Sequence, residues 1–542
     1  MTDSQMRTKF KINSPYVILL LLLVLPMCQS VQKSADTSPS TAQNTAAQIV
    51  DQNTFTQQSA NLPDPLQSME VDDMLENMTL KQKVGQLFFI RANGTFLNRE
   101  DAKYLQLQNI IEEYHIGGIT FFSGDIYDQV MLTNRLQSMS DIPLWITQDM
   151  EYGAAMRVWS TTRFTPNMGV AATQNPEYAY QIGKVTAEEA QALGVHQIFA
   201  PVLDVNNNPD NPVINVRSYG GSPEIVSRYG MPFIEGVASV GLISTAKHFP
   251  GHGDTNIDSH SDLPILDFSY PRLDTLELPP FSEAINHGVR SIMSAHIALP
   301  KISKDIQLPS TLDPIVLNHI LSDSLNFNGL VVTDALEMRG VSSYFSPGNA
   351  VIKSLKAGAD VMLLSPDIST AIHEVYDAVK KGIITEDRID KSVRKLLNLK
   401  KEHGLFEDRL TNIHKLSDTI GKRPNQLLSQ KIARESVTVL KNSDDILPIT
   451  NEQFPKILLL SIADNSSGQT GSYLARKVRD YHNNVTFRIL DKRTSKEDKK
   501  KILEDAKKAD LIILGSFIFV QTGQEIQLSD EQKNFLNKRV GL

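Results

Sequence analysis

Gly329-Leu-Val-Val-Thr-Asp334 decides the architecture: a glycine, four uncharged residues dominated by aliphatic side chains, then an aspartate. A near-continuous apolar segment of this length suits a parallel strand covered on both faces. Seven other segments share its character: Gly85–Ile90, Gly118–Phe122, Leu144–Thr147, Gln197–Leu203, Leu242–Ala246, Ser291–Ser294 and Ala359–Leu364. Stretches between them, such as Pro176–Leu193 and Ile225–Val240, have the length and apolar spacing of amphipathic helices. Eight strand–helix repeats across roughly 320 residues predict a (β/α)8 TIM barrel, with a doubly wound open sheet as the competing arrangement.

Outside this core the pattern changes. Arg7, Lys9 and Lys11 precede an almost wholly aliphatic run, Tyr16–Leu25. The run is shorter than the about 20 residues that span a bilayer and fits the apolar centre of an export signal. Cys28, the sole cysteine, stands at its end, where it resembles the attachment cysteine of a bacterial lipoprotein signal. Residues 1–28 are therefore expected to be a lipoprotein-type signal, with a plainly cleaved signal and a retained anchor as competing readings. Export follows, to the periplasm or to a lipid-anchored position on a membrane. Residues 29–65, rich in Ser, Thr, Ala and Gln, read as a flexible tether. The barrel is expected over 66–400, and a polar helical linker over 401–447. In 448–542 the runs Ile457–Ile462, Val485–Leu490 and Leu511–Gly515 alternate with helical stretches. They predict a second α/β domain with an open parallel sheet, small enough to be read as incomplete in this chain.

The composition is that of an ordinary globular protein: 542 residues, 41% hydrophobic and 21% charged. A net charge of −8 argues against a nucleic-acid partner, which needs a concentrated basic surface. The basic cluster Lys499–Lys501 sits among Glu497, Asp498 and Glu504 and reads as a solvated helix face. With Cys28 the only cysteine, packing rather than disulfides must stabilise the fold.

In barrel enzymes the reactive groups gather at the carboxyl ends of the strands. Here the apolar runs lead into Asp149, with Glu151 and Arg157 close behind; Asp204, with Asp210 and Arg217; Lys247-His248; His296; and Asp334. An aspartate after a strand is often a helix cap, and a single histidine is more often a satisfied core residue. Five strand ends rich in Asp, His, Lys and Arg outweigh those readings and predict a polar pocket. Metal-dependent hydrolysis would draw on His248, His252, Asp258 and His260. Pro250-Gly251 between the first two keeps them off one helical face, and Gly85-Gln-Leu-Phe-Phe-Ile-Arg-Ala92 lacks the paired histidines of metal-dependent amidohydrolase barrels. No metal or cofactor is expected. Retaining glycoside hydrolysis needs a carboxylate nucleophile and a proton donor. Asp334 offers the first. Asp258 and His260, two apart on a Gly-rich loop, offer a histidine oriented by a carboxylate.

The segment Lys247-His-Phe-Pro-Gly-His-Gly-Asp-Thr-Asn-Ile-Asp-Ser-His260 resembles the signature of β-N-acetylglucosaminidases of glycoside hydrolase family 3. Ala200-Pro-Val-Leu-Asp-Val205, Asp210-Asn-Pro-Val-Ile214, Arg217-Ser-Tyr-Gly220, Val332-Thr-Asp-Ala-Leu-Glu-Met338 and Ala433–Asn442 extend the resemblance over about residues 66–542. It implies Asp334 as nucleophile, His260 as acid/base and Asp258 as its partner. It also implies Asp149, Arg157, Arg217, Lys247 and His248 as holders of the terminal sugar's hydroxyls and N-acetyl group. Tyr152, Gly153 and Ala154 stand where the family usually has a Gly pair followed by Arg, which bears on the shape of that loop. The expected activity is exo-hydrolysis of terminal β-linked N-acetylglucosamine from cell-wall fragments or chitin oligosaccharides. The carbohydrate is the expected partner. Phosphorolysis, a family β-glucosidase activity and a non-catalytic sugar-binding lipoprotein are the alternatives.

Overall fold

The computed structural model describes residues 16–21, 69–442, 445–463, 468–517 and 528–537. Cys28 and the tether over 29–65 lie outside the described residues. Among those residues no helix is long and apolar enough to cross a membrane. They divide into two compact units, one ending at Thr438 and one made of Val439 onward with Tyr16–Leu21.

Eight parallel strands form the first unit's centre. They are β1 (Phe88–Gly94), β2 (Gly118–Gly124), β3 (Trp145–Gln148), β4 (Gln197–Ile198), β5 (Ile243–Phe249), β6 (Ser291–Ser294), β7 (Leu330–Thr333) and β8 (Met362–Leu363). Each pairs with its neighbour in sequence, and β8 returns to β1. A bridge between Val332 and Val361 joins the remaining edge, so the sheet is a (β/α)8 barrel. The fold class expected from the apolar runs is the one observed.

Several strands have different limits from the predicted runs: Ala359–Leu364 yields only Met362–Leu363, and the run from Leu242 to Ala246 is observed as Ile243–Phe249. Gly85–Leu87 precede β1: the first two belong to helix α1 (Leu80–Gln86) and Leu87 caps it. Thr79 and Gln82 form a reciprocal capping box that starts this helix, and that pair is a sequence signal for it. The run Gln197–Leu203 yields only two strand residues. Pro201 has no N–H for a ladder, and one bridge from Val202 to Lys247 resumes the pairing. The helices α2 (Ile126–Met139), α3 (Glu177–Ala192) and α4 (Pro223–Ala238) pack outside the strands. Residues 401–438, read from sequence as part of a linker, belong to the barrel unit. There α5 (Arg423–Glu435) buries Ile432, and Tyr178 of α3 donates a 2.6 Å hydrogen bond to Glu435.

Inside the barrel, Phe89, Trp145, Ile243, Met293, Leu330, Val332 and Leu363 form one apolar cluster. A polar layer threads it without leaving donors stranded. Gln197 accepts from the Trp145 indole at 2.8 Å and donates to Thr245 at 2.8 Å and Ser291 at 2.9 Å.

In the second unit β9 (Ile457–Ala463), β10 (Val485–Leu490) and β11 (Leu511–Phe517) form an open parallel sheet with β9 central. Tyr16–Leu21, within the predicted export signal, lies parallel beside β11.

The barrel strand β2 begins at Gly118, where the neighbouring backbone passes too close for a side chain. A Cβ at Gly118 would stand 2.2 Å from the Trp145 carbonyl oxygen. Gly118→Ala is expected to destabilise the barrel by about 3 kcal/mol. The urea midpoint measures this; an unchanged midpoint would show that β2 and β3 have room to separate.

Candidate active site

The carboxyl ends of the strands surround a cavity of about 250 Å³. Asp149, Arg157, Arg217, Lys247, His248, His260 and Asp334 all line it. Asp258 stands behind His260. The eight residues picked out from the sequence are thus brought together, although they span 186 positions of the chain from 149 to 334.

Lys247 anchors the floor. It leaves the end of β5 almost wholly buried, and its Nζ lies 2.8 Å from Asp149 Oδ1 and 2.9 Å from Glu151 Oε1. Arg157 Nη2 donates to Asp149 Oδ2 at 2.6 Å. Arg217 grips Glu151 with both Nε, at 3.0 Å, and Nη2, at 2.7 Å. Three cations therefore meet two carboxylates, with the Asp334 carboxylate facing the same space. Burial pushes the Asp149 carboxyl up, but Lys247 and Arg157 outweigh it and hold it far below the usual carboxylate range. For Glu151 burial is likewise outweighed, by Arg217 and Lys247, and its pKa falls to about 2.

A second network sets the histidines. Asp204 is fully buried at the carboxyl side of β4. Its carboxylate accepts from His248 Nδ1 at 2.7 Å, from the His248 backbone N–H at 3.2 Å and from the His252 N–H at 2.7 Å. Because a carboxylate only accepts, Nδ1 of His248 carries a proton, and Nε2 meets Arg217 Nη2 at 3.4 Å on the cavity side. His252 also lines the cavity, but its ring nitrogens are engaged. Its ring spans Thr255 Oγ1 (2.9 Å) and Ser259 Oγ (3.0 Å), bracing the loop that carries Asp258 and His260. Burial lowers its pKa to about 4, so it is a neutral brace. Among the described residues no group of three or more His, Cys, Asp or Glu is arranged to hold a metal ion.

His260 Nδ1 donates to Asp258 Oδ1 at 2.8 Å, and the His260 N–H reaches the same oxygen at 2.9 Å. That bond raises the imidazole pKa above its ordinary value despite partial burial. With Nδ1 engaged, Nε2 is the nitrogen left for proton transfer. Across the cavity, Asp334 follows β7. Burial raises its carboxyl pKa, while His296, His248 and the Ala335 N–H together more than compensate, so it is an anion. Its Oδ1 accepts from Ala335 N–H at 2.7 Å, and Ala335 O accepts from His296 Nε2 at 3.0 Å. His296 is in turn bonded through Nδ1 to Thr311 at 2.9 Å, a buried support of the turn that holds Asp334.

Three parts of the site went unassigned in the sequence reading. Glu151 and Asp204 were visible as strand-end acids, but their partners are 66 and 44 positions away. The rim was not visible. Arg91 of β1 pairs with Glu337, 246 positions on, and its guanidinium carbon lies 3.7 Å from the centre of the Phe122 ring. Tyr152 is buried under Arg163, with the Arg163 guanidinium carbon 5.6 Å from its ring centre, and does not line the cavity.

Residues 79–399 match the glycosyl hydrolase family 3 N terminal domain. The chain belongs to this family. It is a glycoside hydrolase. The chain is similar to a beta-hexosaminidase A of Pseudoalteromonas piscicida, with 30% identity over 79% of this chain and 75% of the relative. A protein of Cellulomonas fimi named beta-N-acetylglucosaminidase/beta-glucosidase is 29% identical over 72% of this chain and 70% of its own length. Among solved structures, a glycoside hydrolase family 3 beta-N-acetylglucosaminidase from Paenibacillus sp. str. FPU-7 superposes with a TM-score of 0.72. It shares 33% identity, over 81% of this chain and 85% of that one.

Glu151 ties the floor's charge balance to pH. Its folded pKa of about 2 is below the unfolded 4.5, so its contribution is complete above pH 4.5 and is lost as pH falls towards 2. Glu151→Gln is expected to cost about 3 kcal/mol at pH 7. Urea midpoints should show that gap closing between pH 4.5 and pH 2; a constant gap would contradict the assigned ion pair.

Proposed function

We propose that this family 3 glycoside hydrolase is a retaining exo-acting β-N-acetylglucosaminidase, cleaving terminal β-linked N-acetylglucosamine from peptidoglycan fragments or chitin oligosaccharides. The observation that carries the reading is the pairing of Asp258 and His260 at the edge of a cavity that also contains the Asp334 carboxylate. Both catalytic functions of a retaining hydrolase then lie within the barrel. The names of the relatives support the choice of an amino sugar.

In this mechanism Asp334 attacks the anomeric carbon and forms a glycosyl–Asp334 ester while His260 Nε2 protonates the departing oxygen. Water then attacks the ester with His260 as base. Asp258 holds the imidazole in orientation and stabilises its cation. Asp149, Arg157, Arg217, Lys247 and His248 hold the sugar's hydroxyls and acetamido group. They are suited to this because they are fixed against one another before substrate arrives. The protein is further proposed to be exported and anchored through lipid on Cys28. Cys28→Ala would then move it from the membrane fraction to the soluble one.

Wild-type protein should hydrolyse an aryl β-N-acetylglucosaminide in strong preference to the aryl β-glucoside, with a rate indifferent to added phosphate. Asp334→Asn should lower that rate more than about 10³-fold. Preference for the glucoside, or a requirement for phosphate, would assign the site to another reaction. His260→Ala should cost roughly 10²–10⁴ on poor leaving groups and far less on good ones.

The raised His260 pKa also fixes the sign of a pH effect. Above its pKa His260 loses the proton it must donate, which sets the alkaline limb of kcat/KM. Asp258→Asn removes the group that raises this pKa, so the limb should move to lower pH. A limb that stays in place would exclude His260 as the acid.

A further inference from the structure

We propose that Trp159, with Phe96 and Tyr127 on adjoining segments, forms a stacking platform for the leaving-group sugars of a β-linked N-acetylglucosamine oligosaccharide. The inference rests on the proposed glycosidase activity and extends it to the part of the substrate outside the cavity.

The protein has two tryptophans. Trp145 is sealed in the barrel interior, whereas Trp159 is 47% exposed. A single exposed aromatic residue needs no explanation, but here there are three on adjoining loops of one face. Phe96 is 66% exposed in the loop after β1, and Tyr127 is 53% exposed in the first turn of α2, directly after β2. Trp159 lies in the loop after β3. Backbone hydrogen bonds stitch these segments together: Asp125 N–H to Gly94 O at 2.9 Å, Gly124 N–H to Arg157 O at 3.0 Å, and Trp159 N–H to Gly124 O at 3.0 Å. All three residues thus lie on segments at the carboxyl side of the barrel, where the cavity opens.

The same three segments build one wall of that cavity. Arg91, Phe122 and Arg157 line it, with the guanidinium carbons 3.7 and 5.0 Å from the Phe122 ring centre. Phe96, Tyr127 and Trp159 follow these three wall residues by a few positions in the chain. A cavity of about 250 Å³ is smaller than the roughly 300–1,000 Å³ typical of drug-sized ligands, so it suits one sugar ring. The remaining sugars of an oligosaccharide must leave over the rim. The C–H faces of pyranose rings are apolar patches that stack on aromatic faces, while their hydroxyls stay in water or meet polar rim groups such as Arg91 and Glu337.

The turn that carries Trp159 is also braced. Thr161 Oγ1 donates to Val158 O at 2.9 Å across the turn that presents Trp159. The next residue, Thr162, donates through N–H and Oγ1 to the buried Glu189 carboxylate at 2.8 and 2.7 Å. Glu189 also accepts from Gly421 N–H at 2.9 Å. A braced turn loses little freedom when a sugar covers the residue it presents.

The test compares kcat/KM for β-1,4-linked N-acetylglucosamine tetrasaccharide and disaccharide, beside the aryl N-acetylglucosaminide. The wild type should favour the tetrasaccharide about tenfold, the equivalent of burying about 55 Å² of apolar surface. Trp159→Ala should bring the ratio close to one, Trp159→Phe should retain most of it, and Phe96→Ala/Tyr127→Ala should lower it. A wild-type ratio of one, or a ratio unchanged in Trp159→Ala, overturns the platform while leaving the aryl activity as evidence for the glycosidase. Absence of turnover on the aryl N-acetylglucosaminide overturns both. Tryptophan emission of Asp334→Asn should change with the tetrasaccharide and not in Asp334→Asn/Trp159→Phe. A change seen only with anionic phospholipid vesicles would assign the rings to a membrane surface and overturn the proposal.

Discussion

The site is organised around one buried ammonium. Lys247 Nζ holds Asp149 and Glu151 at 2.8 and 2.9 Å, joining the end of β5 to the loop after β3. An unpaired charge at this depth would cost several kcal/mol, and a pair with one partner missing would do the same. The three groups are therefore interdependent. Arg157 and Arg217 complete the charge balance from either side, so the position of each cation is fixed by carboxylates rather than by its own flexible stem.

This arrangement leaves the groups proposed to react, Asp334 and His260, free for chemistry. Asp149 and Glu151 occupy the cations, so Asp334 is not locked into a salt bridge with them. Its ionised form is supported by His296, His248 and the Ala335 N–H. On the opposite loop, His252 and Asp204 connect the scaffold to the dyad: Asp204 receives the His252 N–H, and His252 braces Ser259 between Asp258 and His260. His252, with its pKa lowered to about 4 by burial, acts as a neutral strut, burial also lowers the pKa of His296, and Asp258 raises that of His260. Three histidines near one cavity thus have different proton affinities because their surroundings differ.

The barrel was legible because its strands are covered on both faces, which leaves runs such as Leu330–Thr333 almost without polar residues until the strand ends. The same switch from apolar to polar marked Asp149, Lys247 and Asp334. Strand limits were less legible where a second signal overlapped the run. The Thr79–Gln82 capping box takes Gly85 and Gln86 into α1, and Pro201 interrupts the run after β4. Partners distant in sequence were not legible at all. Arg91 and Glu337, or Glu189 beneath the turn of Trp159, acquire meaning only when the barrel closes and the loops after different strands meet. Residue type and spacing argued against metal binding and offered Asp258 and His260 as an oriented proton donor, and the resemblance of the Lys247–His260 segment gave the roles at the dyad.

The central claim is that Asp334 carries the sugar as a covalent ester inside this charge-balanced pocket. The most direct measurement is intact-protein and peptide mass spectrometry after reaction with a fluorinated N-acetylglucosaminyl donor that slows the second step. The account predicts one sugar per chain, located on the peptide containing Asp334 and absent from Asp334→Asn. An adduct on another residue, or steady turnover of the donor with no adduct under conditions where the first step is fast, would contradict it.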